Sequence, residues 1–334
     1  MNKNRWAIYL LVFTLLLLST IMLSLSVGEI HIPIYRIFNI LSEQNSMEYG
    51  IMTYIRIPRT LLAFAIGGGL SLVGGILQGI YRNPLVEPYT LGISGGASLG
   101  VTIGIVFGLH LLSVVALPIA GFVGALFTLI LVYMLSSRNK IVNINKMLLI
   151  GVMISFVSSS MTMFFMSITT ADNIHSIVFW TMGSLNESNK NMIAIMVFTS
   201  IFSLFASYLF AIPLNALQLG ELKAKHLGID TNIVIRVLFI LTSLLTGTCI
   251  AVGGIIGFVG LVVPHIVRIL VGNDYRILLI SSFLCGSIFL IMCDVISRIV
   301  ISPNELPIGV VTGICGGIFF IILLSRWQKT VKNT

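Results

Sequence analysis

Charge is what this sequence has least of. Only 9% of its 334 residues are Asp, Glu, Lys or Arg, where a soluble domain carries roughly 25%. Its 19 basic and 11 acidic side chains cannot cover a soluble surface of this size, so lipid must be the solvent for most of the chain. Hydrophobic residues make up 57% and the mean hydropathy is +1.07, which also excludes a disordered, collagen-like or disulfide-built chain. The four cysteines, Cys249, Cys285, Cys293 and Cys315, lie in apolar stretches with no Cys-x-x-Cys pair. They read as small buried side chains rather than a redox or metal motif. No Gly-Lys dipeptide exists, so there is no phosphate-binding P-loop, and there is no His-Glu-x-x-His. The five histidines (His31, His110, His175, His226, His265) stand at no metal-ligand spacing. Any energy this chain uses must come from outside it. The net charge of +8 does not by itself imply nucleic acid, and none is expected as a partner. In a membrane protein the question is which side holds the positive charge.

What is present is a series of long apolar runs. A membrane-crossing helix needs about 20 mostly apolar residues, and the runs 6–27, 60–80, 89–109, 111–135, 147–171, 191–211, 277–297 and 307–325 qualify. They do not alternate apolar and polar residues as barrel strands do, so helices are expected. The N-terminal run follows Lys3 and Arg5 as a signal peptide would, but it is too long and no small-x-small site follows, so a retained span is expected. From Val237 to Val267 only His265 can carry charge. That is roughly 46 Å of helix, too long for one span and too short for two full ones. Two short spans place both termini in the cytoplasm and leave five basic residues outside: Arg36, Arg56, Arg59, Lys190 and Arg298. A single span divides the basic residues almost evenly. The positive-inside rule favours the first, ten spans in all, with Gly253-Gly254 marking the turn of a broken pair. The whole chain, 1–334, then forms one all-α polytopic domain. The apolar run Ile174–Leu185 is too short to cross and is expected at the outer surface. Val-Gly-Gly-Ile occurs at 73–76 and 252–255, which in so glycine-rich a chain reads as chance.

One motif suggests an enzyme. Gly92-Ile93-Ser94-Gly95-Gly96 fits Gly-x-Ser-x-Gly, and His265 in another apolar run is a conceivable base for Ser94. The competing reading is close helix packing through small residues, and the strand-turn-helix context of a soluble hydrolase is missing. Gly67-Gly68-Gly69 and Gly74-Gly75 read the same way, as packing surfaces. The run Met161–Met166 reads as packing against lipid.

The segment 212–232 is the most informative polar stretch. Pro213 is expected to end the preceding helix. Gly220 and Gly228 stand where short helices need a left-handed residue, and Asp230 where the next span needs a cap. Two short helices across the inner face are expected, with Leu217, Leu222, Ala224 and Leu227 as their apolar residues. Such an element suits insertion into a partner's groove.

With these residues in view the chain resembles the FecCD-type permeases of ABC importers for iron-siderophores, heme and vitamin B12. The resemblance is carried by Arg56-Ile57-Pro58-Arg59-Thr60-Leu61-Leu62, by Gln78-Gly79-Ile80-Tyr81-Arg82-Asn83-Pro84-Leu85-Val86-Glu87-Pro88 and by Leu91–Ala97. It continues through Leu219-Gly220-Glu221 with Leu227-Gly228, Gly257–Arg268, Asp294 with Arg298, and Leu306–Val310. It implies ten helices per subunit and a second permease subunit, in a homo- or heterodimer. It further implies two ATPase subunits at the cytoplasmic face, and a substrate-binding protein outside. ATP and Mg belong to the ATPases, so no cofactor and no catalytic residue are expected in this chain. By the same resemblance Leu217, Gly220, Glu221, Ala224, Leu227 and Gly228 belong to the segment that couples to the ATPases. Asn83 and Leu85 lie near an inner gate, with Asn143 and Asn145 as further gate candidates by position. Arg56, Arg59 and Arg298 receive carboxylates of the binding protein, although an intrahelical pair with Asp294 is the alternative for Arg298. A ferric siderophore is the leading cargo, with heme and cobalamin as alternatives. The expected location is the cytoplasmic membrane of a bacterium, with lipid as the surrounding partner.

Overall fold

The computed structural model describes residues 3–28, 30–40, 42, 46–138, 141–187 and 189–331. Inside a bilayer every backbone N–H and C=O must be satisfied by the chain itself, and the architecture is accordingly helical. In chain order the helices are α1 (Lys3–Ser26), the short α2 (Ile37–Ile40) and α3 (Met47–Ile51), α4 (Ile57–Tyr81), α5 (Ile93–Val106), α6 (Ala116–Ser136), α7 (Ile144–Ile168) and α8 (Ala171–Thr181). There follow α9 (Lys190–Tyr208), α10 (Ala211–Gln218), α11 (Glu221–His226), α12 (Thr231–Gly253), α13 (Val259–Val271), α14 (Tyr275–Ile299) and α15 (Ile308–Val331). Among the described residues the only extended pairing joins Ser137–Arg138 to Ile141–Val142 between α6 and α7. Among the described residues seven helices are long and apolar enough to cross a membrane, and three more apolar helices, Ile93–Val106, Val259–Val271 and Ile308–Ile322, are shorter. Two charges used in the inside count, Lys140 and Lys332, lie outside the described residues.

Three expectations change in detail. The run 89–109 yields only the 14 residues of α5, because a 3-10 turn at Pro88–Leu91 and Gly92 at φ +81° delay its start. The broken pair between Val237 and Val267 is unequal: α12 has 23 residues and α13 has 13. Pro213 does not end α9, which stops at Tyr208; it stands in the first turn of α10, where a missing N–H costs nothing.

Three backbone groups at the break are covered from elsewhere in the chain. The Ser184 N–H donates to the Gly253 carbonyl at 2.9 Å. The Tyr89 hydroxyl accepts from the Ile256 N–H at 3.0 Å and donates to the Ile256 carbonyl at 2.8 Å. Within α13, Pro264 removes the donor that would serve the Gly260 carbonyl. Gln78 of α4 supplies the replacement, its Nε2 donating to Gly260 at 3.3 Å and to Leu261 at 3.2 Å.

α4 is the centre of the bundle, buried along most of its length against α9, α12, α13 and α14. Its glycines allow this. A Cβ on Gly74 would overlap the Gly260 carbonyl oxygen of α13, and one on Gly67 would overlap Gly286 of α14. Gly92 meets Gly151 of α7 and Gly96 meets Gly124 of α6 in the same way. The two Val-Gly-Gly-Ile copies do unrelated things, one packing α4 and the other ending α12. The four cysteines are unpaired, with Cys249 and Cys293 buried.

Gly74→Ala is therefore expected to force α4 from α13 and lower stability by about 1–3 kcal/mol, the usual cost of overpacking. Gly313→Ala, where a Cβ meets nothing within 4 Å, should leave stability unchanged or slightly raised. Thermal unfolding of both variants in detergent checks this.

Candidate functional site

Three places hold the residues singled out from the sequence. The first is the end of the bundle where α4 begins and α14 finishes. A π-helical turn, Met52–Arg56, runs into α4. Arg56 is only 4% exposed and spends its fork on backbone: Nη1 donates to the carbonyls of Leu25 at 2.7 Å and Ser26 at 3.2 Å, and Nη2 to that of Ile30. Arg59 pairs with Asp294, Nε to Oδ1 at 2.5 Å, and with Glu305, Nη1 to Oε2 at 2.7 Å. Arg298 pairs with the other Asp294 oxygen at 3.0 Å and donates to Ser24 Oγ at 2.9 Å and the Val27 carbonyl at 3.0 Å.

The three arginines expected to receive a partner's carboxylates are thus already bonded within the chain. All three are buried, because a guanidinium among apolar helices needs an internal acceptor for every N–H it can place. The intrahelical alternative for Arg298 is the arrangement observed. Arg59 borders an open hollow, of about 260 Å³, together with Tyr54, Asn186 and Glu305. Glu305 lies on the loop before α15. Burial raises its pKa, but the hydrogen bond and charge of Arg59, helped by Asn186, outweigh that and hold the carboxyl below its ordinary range. Asn186 and Glu305 carried no signal in the sequence, since their partner Arg59 is more than a hundred residues away.

Asp294 is 0% exposed between two arginines. Removing it takes the buried counter-charge from Arg298 and one of two from Arg59, and breaking a buried pair costs about 3–5 kcal/mol. Asp294→Ala should therefore unfold at clearly lower temperature than the parent. Asp294→Leu combined with Arg59→Met and Arg298→Met should recover much of the loss, as thermal melts of the single and combined variants will read.

The second place is the opposite end of the bundle, where α10 and α11 form the expected pair of short helices. Gly220 (φ +107°) and Gly228 (φ +81°) take the positive φ that favours glycine, and the Asp230 carboxylate accepts from the N–H groups of Asn232 and Ile233. Leu217 is 2% and Ala224 0% exposed, so both hold the pair onto the bundle. Ala224 is no contact point for a partner: a charged residue there would attack the chain's own packing. Leu227, with Leu219 and Leu222, faces outward, and Glu221 opens α11.

Sequence reading missed the joint that fixes this pair. The Asn215 amide donates to Asp274 Oδ1 at 2.9 Å and accepts from the Tyr275 N–H at 2.9 Å, tying α10 to the start of α14. Arg276 grips the same carboxylate, Nη2 to Oδ2 at 2.6 Å. The Arg276 hydrogen bonds, opposed by burial and aided by Asn215, hold Asp274 at about 2. A depressed carboxyl stabilises above its unfolded pKa and loses that contribution as pH falls through the folded one. The stability difference between the parent and Asp274→Asn should be constant from neutral pH to about 5 and shrink below about 4; melts across that range measure it.

The third place is the connection between α4 and α5. Asn83 and Leu85 are exposed, and Asn83 Oδ1 accepts from the Leu85 N–H at 2.9 Å, fixing the turn. A Cβ on Gly220 would come within 3.4 Å of Arg82 Nη1, so this turn abuts the α10–α11 pair. Asn143 caps α7, its Oδ1 accepting from Lys146 N–H at 3.0 Å, and Asn145 is exposed in the first turn of α7. No hydrogen bond joins Ser94 to His265, whose Nδ1 has no partner. Gly95 and Gly96 beside Ser94 pack against α7 and α6, so the hydrolase reading has no dyad to rest on.

The chain belongs to the FecCD transport family, whose model matches residues 15–326. It is 33% identical to the hemin transport system permease protein HmuU of Yersinia pestis, over 98% of this chain and 99% of that one. It is 36% identical to the vitamin B12 import system permease protein BtuC of Vibrio cholerae, over 97% and 96%. A solved structure described as an inward-facing ABC transporter of metal-chelate type superposes with a TM-score of 0.84 at 30% identity, covering 96% of this chain and 99% of that one.

Proposed function

We propose that this chain is the membrane subunit of an ATP-driven importer that takes a ferric siderophore across the cytoplasmic membrane of a bacterium. The observation that carries the ATP-driven part is the α10–α11 pair: buried Leu217 and Ala224 fix it to the bundle while Leu219, Leu222 and Leu227 project from it. A passive channel has no use for such a projection; a separate ATPase subunit does. Ten spans with both termini in the cytoplasm fit the seven long and three shorter apolar helices and the excess of basic residues on the α10–α11 side. A second permease subunit and two ATPase subunits complete the assembly, and ATP and Mg bind in the ATPases.

A substrate-binding protein docks at the arginine end. Arg59 borders an open hollow there, and all three arginines also bond within the chain. Siderophores lead because water-soluble iron chelates are the commonest cargo of permeases resembling this one. Heme and cobalamin follow, since relatives named for hemin and for vitamin B12 are about equally similar.

Two measurements decide. Uptake of labelled siderophores, heme and cobalamin by cells with and without the chain identifies the cargo; a siderophore is expected, and uptake of heme or cobalamin alone would sink the siderophore reading. Leu222→Glu with Leu227→Glu should reduce recovery of the ATPase subunit in detergent pull-downs about tenfold or more, a loss of roughly 1.4 kcal/mol or greater, with the melting temperature unchanged. Undiminished recovery would remove α10–α11 as the coupling element.

A further inference from the structure

Beside α5, α6 and α7 lies a hollow of about 810 Å³, larger than the 260 Å³ beside Arg59, and the transport reading gives it no task. Leu99, Gly100 and Ile103 of α5 form its floor. Ile119, Val123 and Phe127 of α6 form one wall, and Ile154 and Val157 of α7 the other. It is a trough rather than a closed cavity, since Ile119, Val123, Phe127 and Val157 are all exposed along its lips.

Its chemistry excludes a polar occupant. Among the residues bordering it none is charged. The two hydroxyls there, Thr128 and Ser158, are buried, and Thr128 Oγ1 donates to the Gly124 carbonyl at 3.1 Å. Water needs two to four polar partners in such a place and finds none free on Thr128. α6 and α7 are each long and apolar enough to cross a membrane, so what meets an open apolar trough between them is hydrocarbon.

Its dimensions choose the form of that hydrocarbon. From Ala116 to Leu131 the trough follows α6 for about 22 Å at 1.5 Å per residue. One leaflet's share of the hydrocarbon core is roughly 15 Å, so an acyl chain lies in the trough along its whole length. A helix of another protein does not fit. At 10–12 Å across with its side chains, it would occupy roughly 1,700–2,500 Å³ over the same 22 Å. The walls are also fixed in advance. Gly96 of α5 meets Gly124 of α6 at backbone distance, Gly100 meets Ala120 in the same way, and Gly95 meets Ser155 of α7. A chain in the trough is therefore touched on three sides by a preformed surface, and dispersion adds over each contact. Lipid lying against a single helix face is touched on one.

The mouth gives the direction of entry. Leu109 and Ala116 border it, and Leu117, next in α6, lines a hollow with Arg59, so the trough opens toward the arginine end of the bundle. The loop at the mouth, residues 107–115, carries no Lys or Arg, so it offers a phosphate headgroup no fixed positive charge.

We propose that this trough is a binding site for one acyl chain of a phospholipid, recognised by the length of the chain and not by the charge of the headgroup. The lipid is held by the chain as a resident ligand, distinct from the lipid that merely surrounds the bundle, and the site is indifferent to the cargo carried.

The test uses the permease with its ATPase subunits, delipidated in detergent, titrated with single phospholipids and read by native mass spectrometry. Dioleoyl phosphatidylglycerol and dioleoyl phosphatidylethanolamine should each leave one retained lipid per copy of this chain, with similar affinity. Dihexanoyl phosphatidylglycerol, whose chains are too short to fill the trough, should bind about tenfold more weakly or less. Val123→Trp with Val157→Trp enlarges both exposed lips and should lower retention of the dioleoyl lipids about tenfold, with the melting temperature of the lipid-free complex unchanged. Should the double variant not assemble, Val157→Trp alone decides. Ile195→Trp, at an exposed position of α9 outside the trough, should retain lipid as the parent does. Equal retention of dihexanoyl and dioleoyl lipid overturns the site, as does retention unaffected by the tryptophans at 123 and 157 or reduced as much by Ile195→Trp. Cross-linking of Val123→Cys between two permease subunits would put a second copy in the trough and overturn the lipid site as well.

Discussion

How closely α4 approaches α13 and α14 decides the rest of this structure. In lipid there is no hydrophobic force to push helices together, so packing and interhelical hydrogen bonds must do it. The contacts of Gly67 with Gly286 and of Gly74 with Gly260 bring backbones to a distance no larger residue allows. That distance puts Gln78 within reach of the Gly260 carbonyl, which Pro264 leaves without a donor. It also puts Arg59 against Asp294. A bundle with α4 held further out would leave a bare carbonyl at membrane depth and an unpaired guanidinium at its end, each costing several kcal/mol.

Much of the fold was legible because hydropathy and span length are one-dimensional signals. The apolar runs became helices, and Gly220, Gly228 and Asp230 took the conformations their chemistry suggested. Pro213 was misplaced because proline is as welcome in a helix's first turn as after its last, and sequence alone does not choose between them. Gly253-Gly254 marked where α12 stops, and the unequal division of 237–267 escaped because the left-handed Phe258 delays α13 to Val259, a conformation that phenylalanine does not advertise in the sequence.

The candidate site was legible in its residues but not in their state. Arg56, Arg59 and Arg298 form one end of the bundle as expected, yet burial turns their forks inward. What each arginine bonds depends on residues far off in the chain: Ile30 for Arg56, Glu305 for Arg59, Ser24 for Arg298. Ala224 shows the same limit in apolar form. Its small size signals tight packing, and only the fold tells whether the neighbour is a partner or the chain itself.

The joint of Asn215 with Asp274 and Tyr275 lies at one end of α14, and Asp294 and Arg298 lie near the other. α14 has 25 residues, about 37 Å at 1.5 Å per residue, with neither proline nor π-turn to bend it. It is a rigid strut clamped at both ends by polar bonds and ridden along its length by α4. A rotation or tilt imposed at the α10 end therefore cannot be absorbed locally; it arrives at the arginine end as a displacement of Asp294, and a load on the arginines travels back the same way.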